Sequence, residues 1–418
     1  MSHSKSQANA KRFRYRNISV LRVLACLGVF MCHLVPLMGI GGAEAAGLEA
    51  LVARVANFGA SGVYLFFVIS GFLVCASYEK HKQKPLAYYE GRARRILPQY
   101  YLVILYESLF HTFITHNATP DPLGLRWLRY IFMTSAVIPA PDNFWGNLAL
   151  TWTIPLFVSF YLFAPLFLRL IRGKEADQPA GFGEPDPAES SKKRRNKIQG
   201  LLSSGFTRSL ILYICLQIGK HIWLFIGPEG TLSCLYYMHY FVLGMAVWYA
   251  VREKRSAAFA ICILSIAVVM YLGNGSLDYF TVVSWIYAGI ILITCRISER
   301  NDAGKIRSEL NIDDEKGAES RQERSVGDKS RAERWPERSV SDENRTKKMW
   351  GTVDTIDSYS YDIYLAHGAV FEALTLIKPR LSLSPFASGI FMLAAMTALT
   401  AFGAVIMHRI CERISRKG

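Results

Sequence analysis

Long apolar stretches separated by short groups of charged residues dominate the pattern of this 418-residue chain. A bilayer core of roughly 30 Å needs about 20 apolar residues in helical form, and ten windows come near that length. They lie at approximately 18–39, 60–78, 96–115, 150–171, 209–227, 232–251, 257–273, 279–296, 357–377 and 387–408. The pattern therefore predicts an all-α fold, a polytopic bundle of about ten transmembrane helices with no soluble domain.

The basic residues between these windows orient the bundle. Cytoplasmic loops of membrane proteins carry an excess of Lys and Arg, and with ten spans every basic group falls on the same side. The groups are Lys11–Arg16, Lys80–Arg95, Lys192–Lys197, Arg252–Arg255, the 297–350 segment and Arg409–Lys417. We therefore predict a multi-pass protein of the cell membrane with both termini in the cytoplasm.

Changes in composition divide the chain into six segments. The predicted helical segments and the tail before them are 1–17 (basic cytoplasmic N-terminus), 18–172 (helices one to four), 209–296 (helices five to eight) and 351–418 (helices nine and ten with a short cytoplasmic tail). Residues 173–208 are rich in Gly, Pro and Lys, and residues 297–350 carry dense charges of both signs. Both inserts are typical of flexible or disordered cytoplasmic loops.

Composition and charge exclude several classes of protein. A hydrophobic content of 51% is too high for an ordinary soluble globule. The net charge of +15 is explained by the membrane topology, so the sequence does not indicate nucleic-acid binding. The eight cysteines form no CxxC pair and no His/Cys spacing that suits a metal. Since no Walker A, GxGxxG, HExxH or GxSxG pattern occurs, we expect any active site to be built from membrane helices.

Two ionisable residues share a face of the first predicted helix. Arg22 and His33 are eleven positions apart, which brings them within roughly 20° of one another and about 16 Å apart along the axis. A guanidinium can hold phosphate or thioester groups, and a neutral imidazole can accept a proton from an attacking hydroxyl. The alternative is a snorkelling arginine and a histidine that only makes a structural hydrogen bond.

Other residues in the predicted helices also have two interpretations, one structural and one functional. Ser70 stands among glycines whose small size permits close helix packing. Arg92 and Arg95 begin the third helix, where basic residues either mark topology or position a phosphorylated substrate. Glu107 and His367 lie within predicted spans, where each either lines a cavity or completes a hydrogen bond between helices.

Several short motifs together resemble one family. They are Arg22-x10-His33 in the first helix, GVYLFFVISGFL at 62–73, Arg92-x-x-Arg95 followed by Ile-Leu-Pro, SYDIYLAH at 360–367 and ICER ending at Arg413. These stretches resemble acyltransferase family 3, membrane proteins of about ten spans that O-acylate surface polysaccharides, lipopolysaccharide, Nod factors and other glycosides. The resemblance covers most of the chain apart from the two inserts.

The resemblance implies an O-acyltransferase that uses acyl-CoA, most commonly acetyl-CoA, as the donor and a glycan or glycolipid hydroxyl as the acceptor. It implies no bound cofactor and no metal, and a bacterial source. His33 and Arg22 are the catalytic residues that it implies. Residues implied to bind the donor or the acceptor, together with the polar candidates above, are Arg92, Arg95, Ser70, Glu107, Tyr161, Tyr364 and His367.

The chain departs from the family pattern in three ways. Phe157 stands where the WSLxxExxFY motif of the family has an acidic residue, so either another group, such as Glu107, replaces the carboxylate or the acceptor differs. The closing ERP motif lacks its proline, and no SGNH-type extracytoplasmic domain follows the tenth helix. We therefore expect a stand-alone transferase or one that hands its acyl group to a separate extracytoplasmic partner, and a homo-oligomer is equally open.

Two other functions are compatible with the pattern. A transporter or flippase for a glycolipid or acyl carrier would also line its path with buried charges, although no inverted repeat or pair of broken helices is apparent. A non-catalytic member of the family that binds partners through its charged loops would explain the missing acidic residue.

Overall fold

The fold is helical throughout the part of the chain that can be described. The computed structural model describes residues 2–81, 85–114, 130–134, 151–173, 204–226, 234–275, 277–298 and 340–417. No β-strand occurs within these ranges, and the predicted all-α membrane bundle is confirmed. Most of the two predicted inserts, 174–203 and 299–339, lies outside the described residues.

Eleven helices make up the described part of the chain. They are α1 (Ser2–Leu37), α2 (Gly47–Phe58), α3 (Gly62–His81), α4 (Pro85–Phe113), α5 (Thr153–Arg172), α6 (Gly205–Ile226), α7 (Cys234–Arg252), α8 (Ser256–Asn274), α9 (Tyr279–Ser298), α10 (Val340–Ile377) and α11 (Pro385–Lys417). Eight described segments are long and apolar enough to cross a membrane, one of them formed by α2 and α3 together. The protein is therefore a multi-pass membrane protein.

The two remaining long helices, α4 and α10, are less apolar because they carry buried polar side chains. These are Gln99 and Glu107 in α4, and Asp357, Ser360, Asp362, His367 and Glu372 in α10. A charged side chain is costly at the bilayer centre, so such residues face the interior of a bundle. Among the described residues, the buried acidic side chains thus all lie on α4 and α10.

Several helices extend beyond the apolar windows of the sequence. The largest difference is at α10, since residues 340–350 are helical although the charge pattern assigns them to a disordered loop. The charged sequence does not exclude this extension, because a helix outside the bilayer needs no apolar face.

Helices α1 and α10 lie side by side and run parallel. Their contacts join Arg22 to Asp357 and the Cys26 thiol to the Ser360 carbonyl, with nearly constant sequence separations of 335 and 334 residues. The rings of His33 and His367, again 334 positions apart, meet farther along the same pair of helices. This parallel packing brings the first helix of the bundle against the polar face of α10.

Small residues allow the close approach of α3 and α7, as the sequence predicted. A Cβ atom on Gly71 would overlap the carbonyl oxygen of Phe241, and one on Gly244 would overlap the carbonyl oxygen of Val68. Next to this contact the ring of Phe241 packs on Phe160 of α5, with centroids 4.3 Å apart. The resulting core is closely packed and holds α3 against α5, where the cavity described below begins.

Candidate active site

A cavity of about 110 Å³ lies among α1, α3, α4, α5 and α10. Six of the nine site residues predicted from the sequence line it: Arg22, Ser70, Arg92, Arg95, Tyr161 and Tyr364. They come from five different helices, so the cavity exists only because the bundle assembles these helices. Its lining is the largest convergence of predicted site residues in the described part of the chain.

Helical spacing explains how each wall of the cavity forms. Arg92 and Arg95 are three positions apart, so they share a face of α4. On α5, Thr153, Phe157 and Tyr161 follow one another at intervals of four and present one face in the same way. Apolar side chains complete the lining, with α3 contributing Val63, Phe66, Ile69 and Leu73. The cavity thus combines guanidinium groups with a hydrocarbon wall.

The three arginines of the cavity differ in their partners. Arg22 forms an ion pair with Asp357 through Nη2. The guanidinium of Arg92 stacks over the ring of Tyr161, with its carbon 4.8 Å from the ring centroid. Arg95 forms neither an ion pair nor a hydrogen bond with any residue that the structure describes. Its charge acts on the carboxylate of Asp362, so an anion that enters the cavity would meet a guanidinium that is near a carboxylate but has no direct bond to a described residue.

His33, the predicted catalytic base, does not line this cavity. Its ring lies 5.3 Å from the ring of His367 and 5.2 Å from that of Phe371, centroid to centroid. His367 is buried, and its Nε2 has no hydrogen-bond partner among the described residues. The two predicted histidines are thus brought together, at a site next to the cavity.

Tyr364 connects the two sites. It lines the cavity, and its ring lies 5.5 Å from that of His367. Its hydroxyl forms a hydrogen bond of 2.9 Å with the Thr153 hydroxyl, and Thr153 also lines the cavity. The Tyr364 side chain therefore contacts both the cationic cavity and the pair of histidines.

Glu107 does not line the cavity. It is twelve positions beyond Arg95 on α4, about 18 Å along the helix axis. Its carboxyl group lies close to that of Glu372 of α10. The structure does not bring Glu107 to the cavity, and Phe157 contributes a ring to the cavity wall where the family has an acidic residue.

Four polar residues in or beside the cavity were not among the predicted site residues: Thr153, Ser360, Tyr361 and Asp357. Thr153 passed unnoticed because a hydroxyl in an apolar helix is common, and only the contact with Tyr364 distinguishes it. Asp357 lies at the first position of the ninth apolar window, where a charge usually marks a helix end. Its partner Arg22 is more than 300 positions away, so only the tertiary structure reveals the pair.

In the described part of the chain no group of three or more His, Cys, Asp or Glu side chains could hold a metal ion.

Comparison with known proteins places this chain among acyltransferase-like sequences. A family model described as an acyltransferase domain matches residues 15–299. The exopolysaccharide production protein ExoZ of Rhizobium meliloti (strain 1021) is 32% identical over 108 residues, which are 25% of this chain and 33% of ExoZ. The acyltransferase MdmB of Streptomyces mycarofaciens is 23% identical over 162 residues, 38% of this chain and 40% of MdmB. Each match thus spans less than half of the relative, and no solved structure matches the chain.

Proposed function

We propose that this chain, which belongs to acyltransferase family 3, moves an acyl group from acyl-CoA to a hydroxyl group of a glycan or glycolipid at the membrane. The observation that carries the proposal is the cavity in which three guanidinium groups meet an apolar wall. Guanidinium groups suit the phosphates of coenzyme A, and the apolar wall suits an acyl chain. Acetyl-CoA is the donor that we expect, because the cavity is small.

The size of the cavity limits which part of the donor it holds. Sites for whole drug-sized ligands measure about 300–1,000 Å³, whereas this one measures about 110 Å³. Coenzyme A is larger than most such ligands, so only its acyl thioester end would fit. The nucleotide and its phosphates would then lie toward the ends at which α1 and α4 begin, where the arginines stand. By the excess of basic residues this is the cytoplasmic side, from which acyl-CoA is supplied.

The chemistry that we propose is a direct transfer. The oxygen of the acceptor hydroxyl attacks the thioester carbonyl carbon while His33 accepts the hydroxyl proton. The carbon–sulfur bond then breaks, and the thiolate of coenzyme A takes up the proton. One ester bond forms and one thioester bond is lost, with no redox change. Because Tyr364 contacts both the cavity and the pair of histidines, we expect the thioester to meet the acceptor beside this side chain.

The nature of the acceptor rests on the relatives. ExoZ carries exopolysaccharide production in its name, and MdmB is named an acyltransferase. Together these names favour an acyl transfer to a carbohydrate hydroxyl. Whether a second copy of the chain or a separate extracytoplasmic transferase takes part is a question for the purified protein. A bacterial cell membrane with both termini cytoplasmic is the setting that this proposal assumes.

Transfer of label from radioactive acetyl-CoA by the purified protein in detergent tests the proposal. General base catalysis contributes about 10²- to 10⁴-fold, so His33→Ala should lower turnover by about that factor. His221→Ala is the matched control, because this histidine is exposed on α6. Full turnover by the His33 variant would remove His33 from the mechanism.

The same preparation separates this proposal from transport. Wild-type protein in sealed vesicles that accumulates a glycolipid without acyl-CoA, and transfers no label, would indicate a transporter. Wild-type protein that binds CoA but transfers no label to any carbohydrate acceptor would indicate a non-catalytic member of the family.

A further inference from the structure

We propose that Asp357 is a positioning residue of the acyl-transfer site, which holds the Arg22 guanidinium in the cavity wall and offsets part of the positive charge there. This inference rests on the proposed function. It concerns a carboxylate that stands apart from the motifs of the sequence. Phe157 occupies the position where the family has an acidic residue, so Asp357 supplies a carboxylate to this region instead.

The ion pair lies in a confined place between α1 and α10. The side chains of Arg22 and Asp357 are only 20% and 10% exposed, so neither is freely hydrated. One turn farther along, the Cys26 thiol contacts the carbonyl oxygen of Ser360 at 3.5 Å and keeps the two helices together. The backbones on both sides of the pair are thus fixed, and the carboxylate restricts where the guanidinium can point.

The pair leaves hydrogen-bonding groups unused. Arg22 contacts Asp357 through Nη2, while its buried Nε has no partner among the described residues. The Oδ1 atom of Asp357 is likewise buried and without a partner in the described part of the chain. Leaving buried polar atoms unpaired costs about 1–3 kcal/mol each, so a pair that served only the fold would be expected to satisfy them. A ligand that accepts hydrogen bonds from Arg22 would satisfy the guanidinium.

The charges around the cavity give Asp357 a second role. Arg22 and Arg95 are close enough for their like charges to interact, and Arg92 lines the same cavity. Three guanidinium groups in one small space repel each other and favour any anion. The carboxylate of Asp357 restrains one of them and leaves Arg95 and Arg92 to attract the donor. Arg22 can then act on the orientation of the bound thioester.

This division of roles predicts how an Asp357→Asn variant behaves. Loss of the negative charge should not weaken binding of the anionic donor, so KM for acetyl-CoA should stay the same or fall. A freed guanidinium would orient the donor poorly, so kcat should fall by about 10-fold, or about 1.4 kcal/mol. Asp357→Glu keeps the charge and should restore part of kcat. Asp354→Asn, one turn earlier on α10 and exposed, is the matched control.

A double-mutant cycle decides whether Asp357 acts through Arg22. If it does, the Arg22→Ala/Asp357→Asn protein should lose no more kcat than Arg22→Ala alone, because the second change removes nothing further. Additive losses, or a KM that rises while kcat is unchanged, would overturn the inference. So would an Asp357→Asn protein with normal kcat and only a lower melting temperature, since that result indicates a structural pair.

The failure of this inference can be told from the failure of the proposed function. If the wild-type protein neither turns over acetyl-CoA nor binds CoA in calorimetry, both are overturned. If the wild-type protein transfers the acyl group and the cycle is additive, only the role of Asp357 is overturned. Size-exclusion profiles of all four proteins in the same detergent verify that the losses do not come from misfolding.

Discussion

Two ion pairs of this protein have similar chemistry and different surroundings. Arg22 pairs with Asp357 at the cavity, whereas Lys220 of α6 pairs with Asp278 in the connection before α9, at 3.0 Å. The Lys220 ammonium also donates to the Thr281 hydroxyl at 3.2 Å and lies 4.7 Å from the centroid of the Tyr236 ring. In the pair at the cavity, Arg22 Nε and Asp357 Oδ1 have no hydrogen-bond partner among the described residues. In the second pair, the ammonium group of Lys220 has several partners.

The carboxylate of the second pair has further partners at its Oδ2 atom. Asp278 Oδ2 accepts hydrogen bonds from the backbone N–H of Thr281 at 3.1 Å and from its hydroxyl at 2.7 Å. A buried pair recovers its desolvation cost only with good geometry and further hydrogen bonds, which the Lys220 pair has. The contrast teaches that satisfied charges in this bundle serve the fold, while unsatisfied charges next to a cavity indicate a place for a ligand.

Replacing each cation by methionine gives the largest expected effect. Arg22→Met leaves Asp357 as an uncompensated carboxylate and removes a cavity group, so we expect kcat/KM for acetyl-CoA to fall about 1,000-fold, equivalent to about 4 kcal/mol. Lys220→Met should lower the melting temperature by several degrees and leave kcat/KM of the folded protein within about 3-fold, since Lys220 does not line the cavity.

Kinetics and thermal unfolding of both methionine variants in one detergent give the two measurements. An Lys220→Met protein that unfolds normally but loses acyl transfer would contradict the assignment of this pair to the fold. Equal activity of the two variants would remove the distinction between the pairs.

The fold was largely predictable from the sequence, and the cavity only in part. Apolar length and basic loops are local properties, so they predict the helices and the membrane. Arg22 could be found because a charge in an apolar window is unusual, and Arg92 and Arg95 because they match a motif of the family. These arginines line one cavity with Tyr161 and Tyr364 because of the way the helices pack together, and no local sequence pattern predicts that packing.

The positions of His33 and Glu107 show where the prediction stops. The spacing of Arg22 and His33 on α1 places them on one face, but it cannot show that Tyr364 lines the cavity and His33 does not. Nor could spacing show that Glu107 finds Glu372 rather than the cavity. In each case the deciding contact comes from α10, which stands more than 230 positions away in the sequence.

A second, smaller effect is expected within the cavity itself, where Arg92 and Arg95 can be compared. Arg95 has no hydrogen-bond or ion-pair partner among the described residues. A hydrogen bond to a charged group contributes about 1.5–3 kcal/mol, so Arg95→Ala should raise KM for acetyl-CoA by about 10- to 100-fold. Arg92 is held over Tyr161 and should be less available, so Arg92→Ala should raise KM by only about 3-fold.

Arg94 provides the control for these variants. It forms an i,i+4 ion pair with Glu90 at 2.8 Å on an exposed face of α4, and it does not line the cavity. Arg94→Ala should therefore leave KM unchanged. Initial rates across a range of acetyl-CoA concentrations measure KM for all three variants. A larger rise in KM for Arg92→Ala than for Arg95→Ala would contradict the argument that Arg95 is the more available of the two.

The smallest effect concerns the pH dependence of the Lys220 pair. Burial by itself raises the pKa of Asp278, but the hydrogen bonds from Thr281 and the charge of Lys220 outweigh it and lower the pKa below its ordinary value of 3.8. A carboxylate with a lowered pKa stabilises the folded state above its ordinary pKa, and the contribution is lost as the pH falls through the lowered value.

The side chain of Asp278 is 35% exposed, so solvent screening keeps the effect small. Wild type should therefore melt about 2 °C above Asp278→Asn at neutral pH, and the difference should shrink as the pH falls below 3.8 and through the lowered pKa. A constant difference across this range would mean that the carboxylate acts through packing rather than through its charge.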